Sequence, residues 1–175
     1  MDVEFRKLTQ PTAEIAECFT RWENDPRLIH LIRVNQDQES LGKRIMVTDE
    51  VLEEWLSRKQ MYLICLQDQP VGSMEFQIDP KHLYKKDVST AWIGIMIGEE
   101  VARGKGIGYL ALQYLEQEIK RLGLRRMELG VFEFNTNAIK LYQRMGYQEI
   151  GRIPNFTFWQ NKLWDDIRME KFIER

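Results

Sequence analysis

The 175-residue sequence predicts an α+β fold, in which a mixed, mostly antiparallel central sheet of about seven strands is flanked by about four helices. Three observations indicate this fold. Short segments that alternate apolar and polar residues, or that are apolar throughout, are typical of strands. Longer segments whose apolar residues recur every three or four positions are typical of helices. Their order, β-α-α-β-β-β-α-β-α-β-β, favours a mixed sheet with helices on its faces.

The first 59 residues are predicted to form one strand and the helices that lie beside it. The expected bounds are 3–8 for the strand and 12–23, 27–34 and 49–59 for the helices. Pro11 suits an early helical position, and Asn24-Asp25-Pro26 ends the first helix. Thr48 is a candidate N-cap for the third helix, which has acidic residues in its first turn. Residues 35–47 carry no clear pattern.

The remaining residues, 60–175, are predicted to supply the rest of the sheet and two helices. The expected strands are 60–67, 70–78, 89–97, 126–132, 147–153 and 163–172, and the expected helices are 107–122 and 136–145. Asp68-Gln69 is the predicted hairpin turn, 79–88 a polar loop, and 156–162 partly strand and partly turn. Gly123 and Gly146 are suited to end the two helices. Because no linker or repeat interrupts the pattern, we expect residues 1–175 to form one domain.

Composition excludes several classes of protein. The net charge of −2 argues against a nucleic-acid-binding protein, which normally has an excess of basic residues. The only cysteines are Cys18 and Cys65, and the only histidines are His30 and His82. Their spacing fits neither a metal site nor a disulfide framework, so we expect no metal. The chain begins without an apolar signal segment and has no membrane-spanning apolar run, which predicts a cytoplasmic protein with no membrane contact.

Residues 103–108, Arg-Gly-Lys-Gly-Ile-Gly, lie between a predicted buried strand and a predicted helix. Glycines at alternate positions allow successive backbone N–H groups to converge on an anion. A helix N-terminus adds unpaired N–H groups and about half a unit of positive charge. Arg103 and Lys105 add full charges. This pattern predicts a phosphate-binding loop.

Two other phosphate motifs and an empty turn are the alternatives. A Walker loop is excluded because Lys105 is followed by Gly106 rather than by Ser or Thr. A dinucleotide-binding fingerprint starting at Gly106 is compatible with Ala111. It is disfavoured because Glu128, the acidic residue at the required distance, falls inside a predicted strand rather than at its end. A glycine-rich turn that binds nothing remains open.

Two motifs in this sequence resemble the hallmarks of the GNAT superfamily of N-acetyltransferases. Arg103-x-x-Gly106-x-Gly108 is similar to the acyl-CoA-binding signature [QR]-x-x-G-x-[GA]. Residues 135–147 are similar to the second hallmark, N-x-x-A-x-x-L-Y-x-x-x-G-[FY]. The resemblance covers residues 60–170 well and the first 60 residues loosely. It implies the acyl-CoA N-acyltransferase fold.

The resemblance also implies acetyl-CoA as the acetyl donor and assigns residues to it. Those expected to contact its pyrophosphate are Arg103, Gly104, Lys105, Gly106, Ile107 and Gly108, mainly through backbone N–H groups. The backbone of Ile95, Met96 and Ile97 is expected to pair with the pantetheine arm and to supply an oxyanion donor. Gly94 and Gly98 flank that segment, and they indicate either a bulge or a packing gap. Asn135 is expected to contact the cofactor arm, to cap the following helix, or both.

Two residues are the catalytic candidates. Tyr142 matches the superfamily tyrosine that protonates the leaving thiolate, although its position on an apolar stripe is also typical of core. Many relatives use a glutamate on the strand before the loop, but residues 91–97 contain no carboxylate. Glu75, on the polar face of the neighbouring strand, is the substitute base, and a solvated surface glutamate is the alternative. Asp165 and Asp166 are candidates to bind a cationic acceptor.

The predicted function is transfer of an acetyl group from acetyl-CoA to a primary amine. The C-terminal run 158–169 resembles the branch that contains ribosomal-protein N-terminal, spermidine and aminoglycoside acetyltransferases, so the acceptor is a small amine or a protein α-amine. The alternative is a non-catalytic acyl-CoA-binding module. Edge strands near the C-terminus are compatible with a homodimer. Apolar residues of the first third are candidates for acceptor pocket or core: Phe19, Trp22, Ile29, Leu31, Ile32 and Trp55.

Overall fold

The computed structural model describes residues 1–87 and 89–174. Its seven strands are β1 (Val3–Lys7), β2 (Gln60–Leu66), β3 (Gln69–Ile78), β4 (Thr90–Ile97), β5 (Arg126–Phe132), β6 (Gln148–Trp159) and β7 (Lys162–Phe172). The described α-helices are α1 (Ala13–Glu23), α2 (Ile29–Ile32), α3 (Gln38–Gly42), α4 (Asp49–Arg58), α5 (Ile107–Arg121) and α6 (Thr136–Arg144). A 3₁₀ turn, Glu100–Ala102, precedes α5. Val88, the last residue of the predicted loop 79–88, and Arg175 lie outside the described residues.

The strands form one sheet in the order β1-β2-β3-β4-β5-β7-β6. Every neighbouring pair is antiparallel except β4 and β5, which are parallel. The predicted α+β fold is therefore confirmed. The described residues contain six helices rather than about four. The helix expected at 27–34 is shorter, Ile29–Ile32, and the five-residue α3 lies in residues 35–47, where no pattern was found. Such short helices leave little periodicity to detect in a sequence.

Each face of the sheet is covered by its own helices. Strand residues such as Ile64, Met74 and Ile93 pack with α5 on one face. Their neighbours Met61, Leu63 and Cys65 pack with α1 and α4 on the other face. This division follows from the alternation of side chains along a strand. We call the two faces the α5 face and the α1 face.

The parallel strands β4 and β5 separate partway along their length. They pair at Thr90, Ala91 and Trp92 of β4, and beyond Trp92 no further pairing joins them. Residues 93–97 of β4 and 129–132 of β5 therefore border a gap, which we call the wedge. Because β3 pairs with β4 as far as Ile97, one backbone edge of β4 is bonded and the other faces the wedge.

Local chain reversals differ from the predicted ones by a residue or more. The β2–β3 turn is formed by Gln67 and Asp68, both with positive φ, rather than by Asp68-Gln69. Strand β6 continues to Trp159, so the predicted strand 147–153 is too short. The extension is irregular, because the register between β6 and β7 shifts between Ile153 and Thr157.

The predicted helix caps Thr48 and Gly123 are confirmed. The Thr48 side chain accepts a hydrogen bond from Val51 N, and Gly123 has a φ angle of 78°.

A buried ionic network lies on the α1 face of β5 and β7. Its members are Arg126, Glu128, Asp166, Arg168 and Glu170. Arg126 lies 2.6 Å from both the Glu128 and the Glu170 carboxylate. Glu128 also accepts hydrogen bonds from the backbone N–H groups of Tyr84 and Lys85, at 2.7 and 3.0 Å. The network therefore fastens the β3–β4 connection to the sheet.

Candidate functional site

The glycine-rich loop joins the end of β4 to α5. Gly104 and Gly106 have φ angles of 70° and 76°, in the left-handed region that favours glycine. A Cβ added at either position would meet no protein atom within 4 Å, so the loop is open on that side. Gly106 is the residue that precedes the first turn of α5, and no side-chain hydrogen bond caps this helix. The first N–H groups of α5 are therefore available to an anion, as are those of Gly104, Lys105 and Gly106.

The two cations of the loop are arranged differently. The Arg103 guanidinium donates to the Gly98 carbonyl at 3.1 Å, and it lies 3.8 Å from Asp25. The Arg103 N–H donates to the Glu100 carbonyl at 3.0 Å. Both groups of Arg103 are thus turned toward the end of β4 and the 3₁₀ turn. Lys105 is exposed and forms no ion pair with any described residue, so it is the loop's available positive charge.

Residues 95–97 border the wedge with one backbone edge. Their other edge is paired with β3, and the register runs without a shift across Gly94. The bulge interpretation of Gly94 is therefore wrong, and separation of β4 from β5 is what leaves backbone groups unpaired. At Gly98 the backbone is irregular, because the N–H groups of Gly98 and Glu99 both donate to the Val71 carbonyl, at 2.8 and 2.9 Å, the two-against-one pattern of a bulge. A Cβ on Gly98 would also collide with the Trp22 ring, so close packing requires glycine there.

Helix α6 follows β5 and lies beside the start of α5. A Cβ on Gly108 would approach Leu141 of α6 to 3.2 Å. Asn135 caps α6, and its side chain accepts a hydrogen bond from Ala138 N at 3.4 Å. Tyr142 packs against the core of the α5 face, with its ring centroid 5.8 Å from that of Tyr147. Desolvation raises the pKa of Tyr142 to about 12, so the hydroxyl carries its proton at neutral pH.

Glu75 lies on the α1 face, opposite the face that holds Tyr142. Its carboxylate is 2.8 Å from the Lys59 ammonium, and both side chains are largely buried. A Cβ on Gly94 would lie 3.4 Å from Glu75 Cγ, so the Glu75 side chain lies directly over the β4 strand that borders the wedge. Glu75 is thus a partly exposed carboxylate held in an ion pair beside the wedge, and its role as the base stays a prediction.

Two charged residues that interact with each other, Glu23 and Arg33, were not found by sequence reasoning. Burial raises the pKa of the Glu23 carboxyl, an effect that nearby Arg33 partly offsets and Glu75 reinforces. Arg33 donates from Nη1 to the Lys43 carbonyl at 2.8 Å. Its Nε and Nη2 are buried and have no hydrogen-bond partner among the described residues. The sequence does contain a signal that Glu23 is buried. Ile15, Phe19 and Glu23 are spaced by four residues, which places the Glu23 carboxylate on the buried stripe of α1.

Two cavities lie beside the α1–α2 turn, with volumes of about 540 and 380 Å³. They share Asn24, Pro26 and Arg44 in their walls. The larger extends to Gly98 at the end of β4, and the smaller to Trp159 of β6. Volumes of this size suit a small molecule. The cavities therefore connect the end of the wedge strand with the loops of the first third of the chain.

The other predicted acceptor residues divide between core and cavity wall. Phe19 is buried in the core of the α1 face, whereas Trp22 and Ile29 are buried and also line the cavities. Leu31, Ile32 and Trp55 are half-buried. Asp166 is 3% exposed, and its carboxylate accepts a hydrogen bond from Arg168 Nε at 2.8 Å. Asp165 accepts one from Asn155 N at 3.2 Å, so both aspartates are already engaged within the protein.

Residues 1–87 and 89–174 lack two further features. No helix there has both the length and the apolar character needed to cross a membrane. No group of three or more His, Cys, Asp or Glu side chains in that part of the chain is placed to hold a metal ion.

Comparison with known proteins identifies relatives of the chain. An uncharacterized N-acetyltransferase of Bacillus subtilis is 40% identical over 81 residues, which are 46% of this chain and 49% of the relative. The chain thus matches about half the length of that relative. A putative phosphinothricin acetyltransferase of the same organism is 28% identical over 122 residues, which are 68% of this chain and 74% of the relative.

The fold has a close counterpart among solved structures. The spermidine N-acetyltransferase of Vibrio cholerae, in complex with CoA and spermine, superposes with a TM-score of 0.74 at 17% identity. The superposition covers 98% of this chain and 95% of that one. At this identity the likeness concerns the fold. The model of the acetyltransferase (GNAT) family matches residues 12–147, well over half of the chain. The chain belongs to the GNAT acetyltransferase family.

Proposed function

We propose that the protein is an enzyme that transfers the acetyl group of acetyl-CoA directly to a primary amine. The observation that carries this proposal is the wedge, which leads along β4 into an open glycine-rich loop. An unpaired strand edge can bond the amides of an extended ligand, and an uncapped helix N-terminus can bind its phosphates. Together they suit a donor that has an amide-containing arm and a pyrophosphate.

Each part of the site has a role in binding the donor. Gly104, Lys105, Gly106, Ile107 and Gly108 bind the pyrophosphate, mainly through backbone N–H groups. Ile95, Met96 and Ile97 pair with the pantetheine arm along the free edge of β4. Asn135 caps α6 and contacts the same arm. Arg103 acts indirectly, because it holds the end of β4 through the Gly98 carbonyl.

The reaction moves one acetyl group and one proton. The lone pair of the neutral amine attacks the thioester carbonyl carbon, and a backbone N–H of residues 95–97 stabilises the oxyanion. The C–S bond then breaks, and the acetyl group remains on nitrogen. The nitrogen loses a proton to a base, and the departing thiolate gains one from Tyr142, which is protonated at neutral pH. The proton on the base then returns through water to the Tyr142 oxygen, so that overall one proton moves from nitrogen to sulfur.

We propose Glu75 as the base, acting through water across Gly94. Replacing Glu75 by Gln is expected to lower kcat/KM roughly tenfold, because the carboxylate that accepts the proton of the amine is lost. Glu17→Gln, an exposed change on α1, is the control and should leave the profile unaltered. The measurement is kcat/KM against pH for the three proteins. A Glu75→Gln profile that overlays the wild type excludes Glu75 as the base.

The acceptor is a small amine or a protein N-terminal α-amine. Relatives of this chain are named for phosphinothricin and for spermidine, which are chemically different amines, so the family alone does not choose between them. We further propose that residues 1–175 form one domain and that the protein is located in the cytoplasm, where its donor is found. We also propose that the protein binds neither nucleic acid nor a metal ion. Strand β6 is a 12-residue sheet edge, which supports a homodimer.

The test is incubation with acetyl-CoA, a thiol-detecting reagent and a panel of amines and peptides. We expect release of the CoA thiol in amounts equal to the acetylated acceptor, measured by mass spectrometry. Tight acetyl-CoA binding without thiol release for any member of the panel would instead support the non-catalytic acyl-CoA-binding module.

A further inference from the structure

We infer that His30 and Trp159 determine acceptor specificity, because their stacked rings form the wall of the smaller cavity against which the apolar group of the amine packs. The inference rests on the proposed function and deepens it. The two ring centroids are 4.5 Å apart, and the ring planes are 15° from parallel. Both residues line the cavity of about 380 Å³ and are only half-buried, so part of each side chain is open to it.

The His30 ring is available to a ligand. No hydrogen bond among the described residues involves its nitrogens. These nitrogens are nevertheless accessible, since the buried side-chain atoms that lack a partner in the described ranges are those of Arg33. Burial lowers the pKa of His30, so the imidazole is uncharged at neutral pH. The wall therefore presents two uncharged flat rings.

Hydrogen bonds behind the wall hold it in place. Asn35 connects the segment after α2 to β6, because its N–H donates to Thr157 Oγ1 at 3.0 Å and its carbonyl accepts from Phe158 N at 2.7 Å. The Trp159 carbonyl accepts a hydrogen bond from Trp164 Nε1 at 2.8 Å. A wall that is fixed before the ligand arrives loses little conformational freedom on binding, which favours tight packing against it.

The rest of the smaller cavity offers few polar partners. The Asn24 amide is engaged within the protein, since it accepts from Ile45 N at 2.8 Å and donates to the Thr20 and Ile45 carbonyls, each at 2.6 Å. Three further residues of the cavity wall are apolar: Pro26, Ile29 and Leu41. The cavity therefore suits an apolar group.

Charge at the same cavity disfavours a second ammonium group. Lys43 and Arg44 both line the cavity, and neither forms an ion pair with any residue in the described ranges. Like charges brought together repel. The acceptor that fits therefore has its amine outside this cavity and an uncharged group inside it.

The wall lies beside the wedge. Phe134 follows the end of β5 by two residues, and its ring centroid is 4.5 Å from that of Trp159. Residues 129–132 of β5 border the wedge on that side. The larger cavity, which shares wall residues with the smaller one, reaches Gly98 at the end of β4. An amine whose apolar group packs on the wall can therefore extend toward the thioester.

Histidine NMR tests the contact without turnover. The chain has two histidines, so selective isotope labelling of their rings gives two sets of resonances, which His30→Phe assigns. His82 is the internal control, because its ring packs on Trp92 at 4.6 Å and lines neither of the two cavities. Phenethylamine and ethylamine are titrated into the CoA-loaded protein. We expect phenethylamine to shift the His30 resonance and not that of His82. A His30 resonance that stays fixed, or that moves no more than that of His82, would overturn the inference.

Kinetics test the specificity itself, with kcat/KM expressed per neutral amine so that differences in amine pKa do not enter. We expect the wild type to prefer phenethylamine over ethylamine at least about tenfold, because only phenethylamine has a ring to pack on the wall. His30→Ala should remove most of that preference, and His30→Phe, which keeps a flat ring, should retain it. Phe172→Ala changes an exposed aromatic residue outside both cavities and is the matched control. Equal kcat/KM values for the two amines in the wild type, or an unchanged preference in His30→Ala, would overturn the inference.

Trp159→Leu removes the other ring of the wall and serves if His30→Ala does not fold. It should also lower the preference for phenethylamine. Spermidine, which brings further ammonium groups, should be acetylated less efficiently than phenethylamine by the wild type. A preference that Trp159→Leu fully retains, or equal or better acetylation of spermidine, would overturn the inference.

The two readouts separate this inference from the proposed function. A His30 resonance that phenethylamine shifts, in a protein that acetylates no amine, would contradict the proposed function and support the inference. Acetylation of both amines with equal kcat/KM, together with a fixed His30 resonance, would support the function and overturn the inference.

Discussion

Replacing Tyr142 by Phe is expected to lower kcat roughly a hundredfold while the Kd for acetyl-CoA stays the same. The hydroxyl is the proposed proton donor to the thiolate, and desolvation keeps it protonated by raising its pKa to about 12. Phenylalanine keeps the ring that packs against Tyr147 and the α5-face core. The loss should therefore appear in the chemical step alone. It is measured by steady-state kinetics together with a calorimetric Kd.

Tyr147→Phe is the matched control for that experiment. Tyr147 is buried, whereas Tyr142 is partly buried, and the pKa of Tyr147 is also raised, first through desolvation. Its hydroxyl differs in lying 3.5 Å from Glu116, so it has a partner within the protein. We expect Tyr147→Phe to affect stability more than kcat. If Tyr142→Phe retains the wild-type kcat, Tyr142 has no part in proton transfer and is a core residue.

The second large expected effect is a loss of stability when Glu128 is replaced by Gln. Its side chain is completely buried and 2.6 Å from Arg126, and it also accepts two backbone N–H bonds from the β3–β4 connection. Glu128→Gln removes the negative charge, so that Arg126 keeps the Glu170 carboxylate but loses its fully buried ion-pair partner. Breaking a buried pair in this way costs about 3 kcal/mol. We expect that loss in the free energy of unfolding, measured by urea titration.

Glu149→Gln supplies the comparison for Glu128→Gln. Glu149 pairs with Arg152 at 2.6 Å on the surface, where both side chains are more than 40% exposed. Removing an exposed pair changes stability by less than about 1 kcal/mol. Equal effects of the two substitutions would show that the network around Glu128 contributes no more than a surface ion pair.

Much of the fold was predictable because its signals are local. The apolar run of β4, the helical stripe of α5 and the glycines at 104, 106, 123 and 146 each specify structure within a few residues. The loop could likewise be recognised, since three glycines between a strand and a helix have few other uses. Asn135 and Tyr142 came from the second motif and could not have been singled out by periodicity.

The rest of the site depends on contacts between distant parts of the chain. The wedge exists because β4 and β5 stop pairing after Trp92, and no residue in either strand signals that separation. Arg33 follows a four-residue helix, and its unpaired edge becomes visible only once Lys43 is placed beside it. The network that holds Glu128 joins residues from β5, β7 and the β3–β4 connection. Contacts between residues so far apart in the chain cannot be recognised from their spacing in the sequence.

The most direct test of the central claim is calorimetric titration of acetyl-CoA into the wild type, Gly106→Ala and Gly123→Ala. Both glycines have positive φ, 76° and 78°, and in both a Cβ would meet no protein atom within 4 Å. The backbone strain of the two substitutions is therefore matched, but only Gly106 lies in the loop. We predict a Kd about tenfold higher for Gly106→Ala, since strain of about 1–2 kcal/mol would reshape the loop. Gly123→Ala should bind like the wild type. No binding by the wild type, or equal Kd values for all three proteins, would contradict a donor site at this loop.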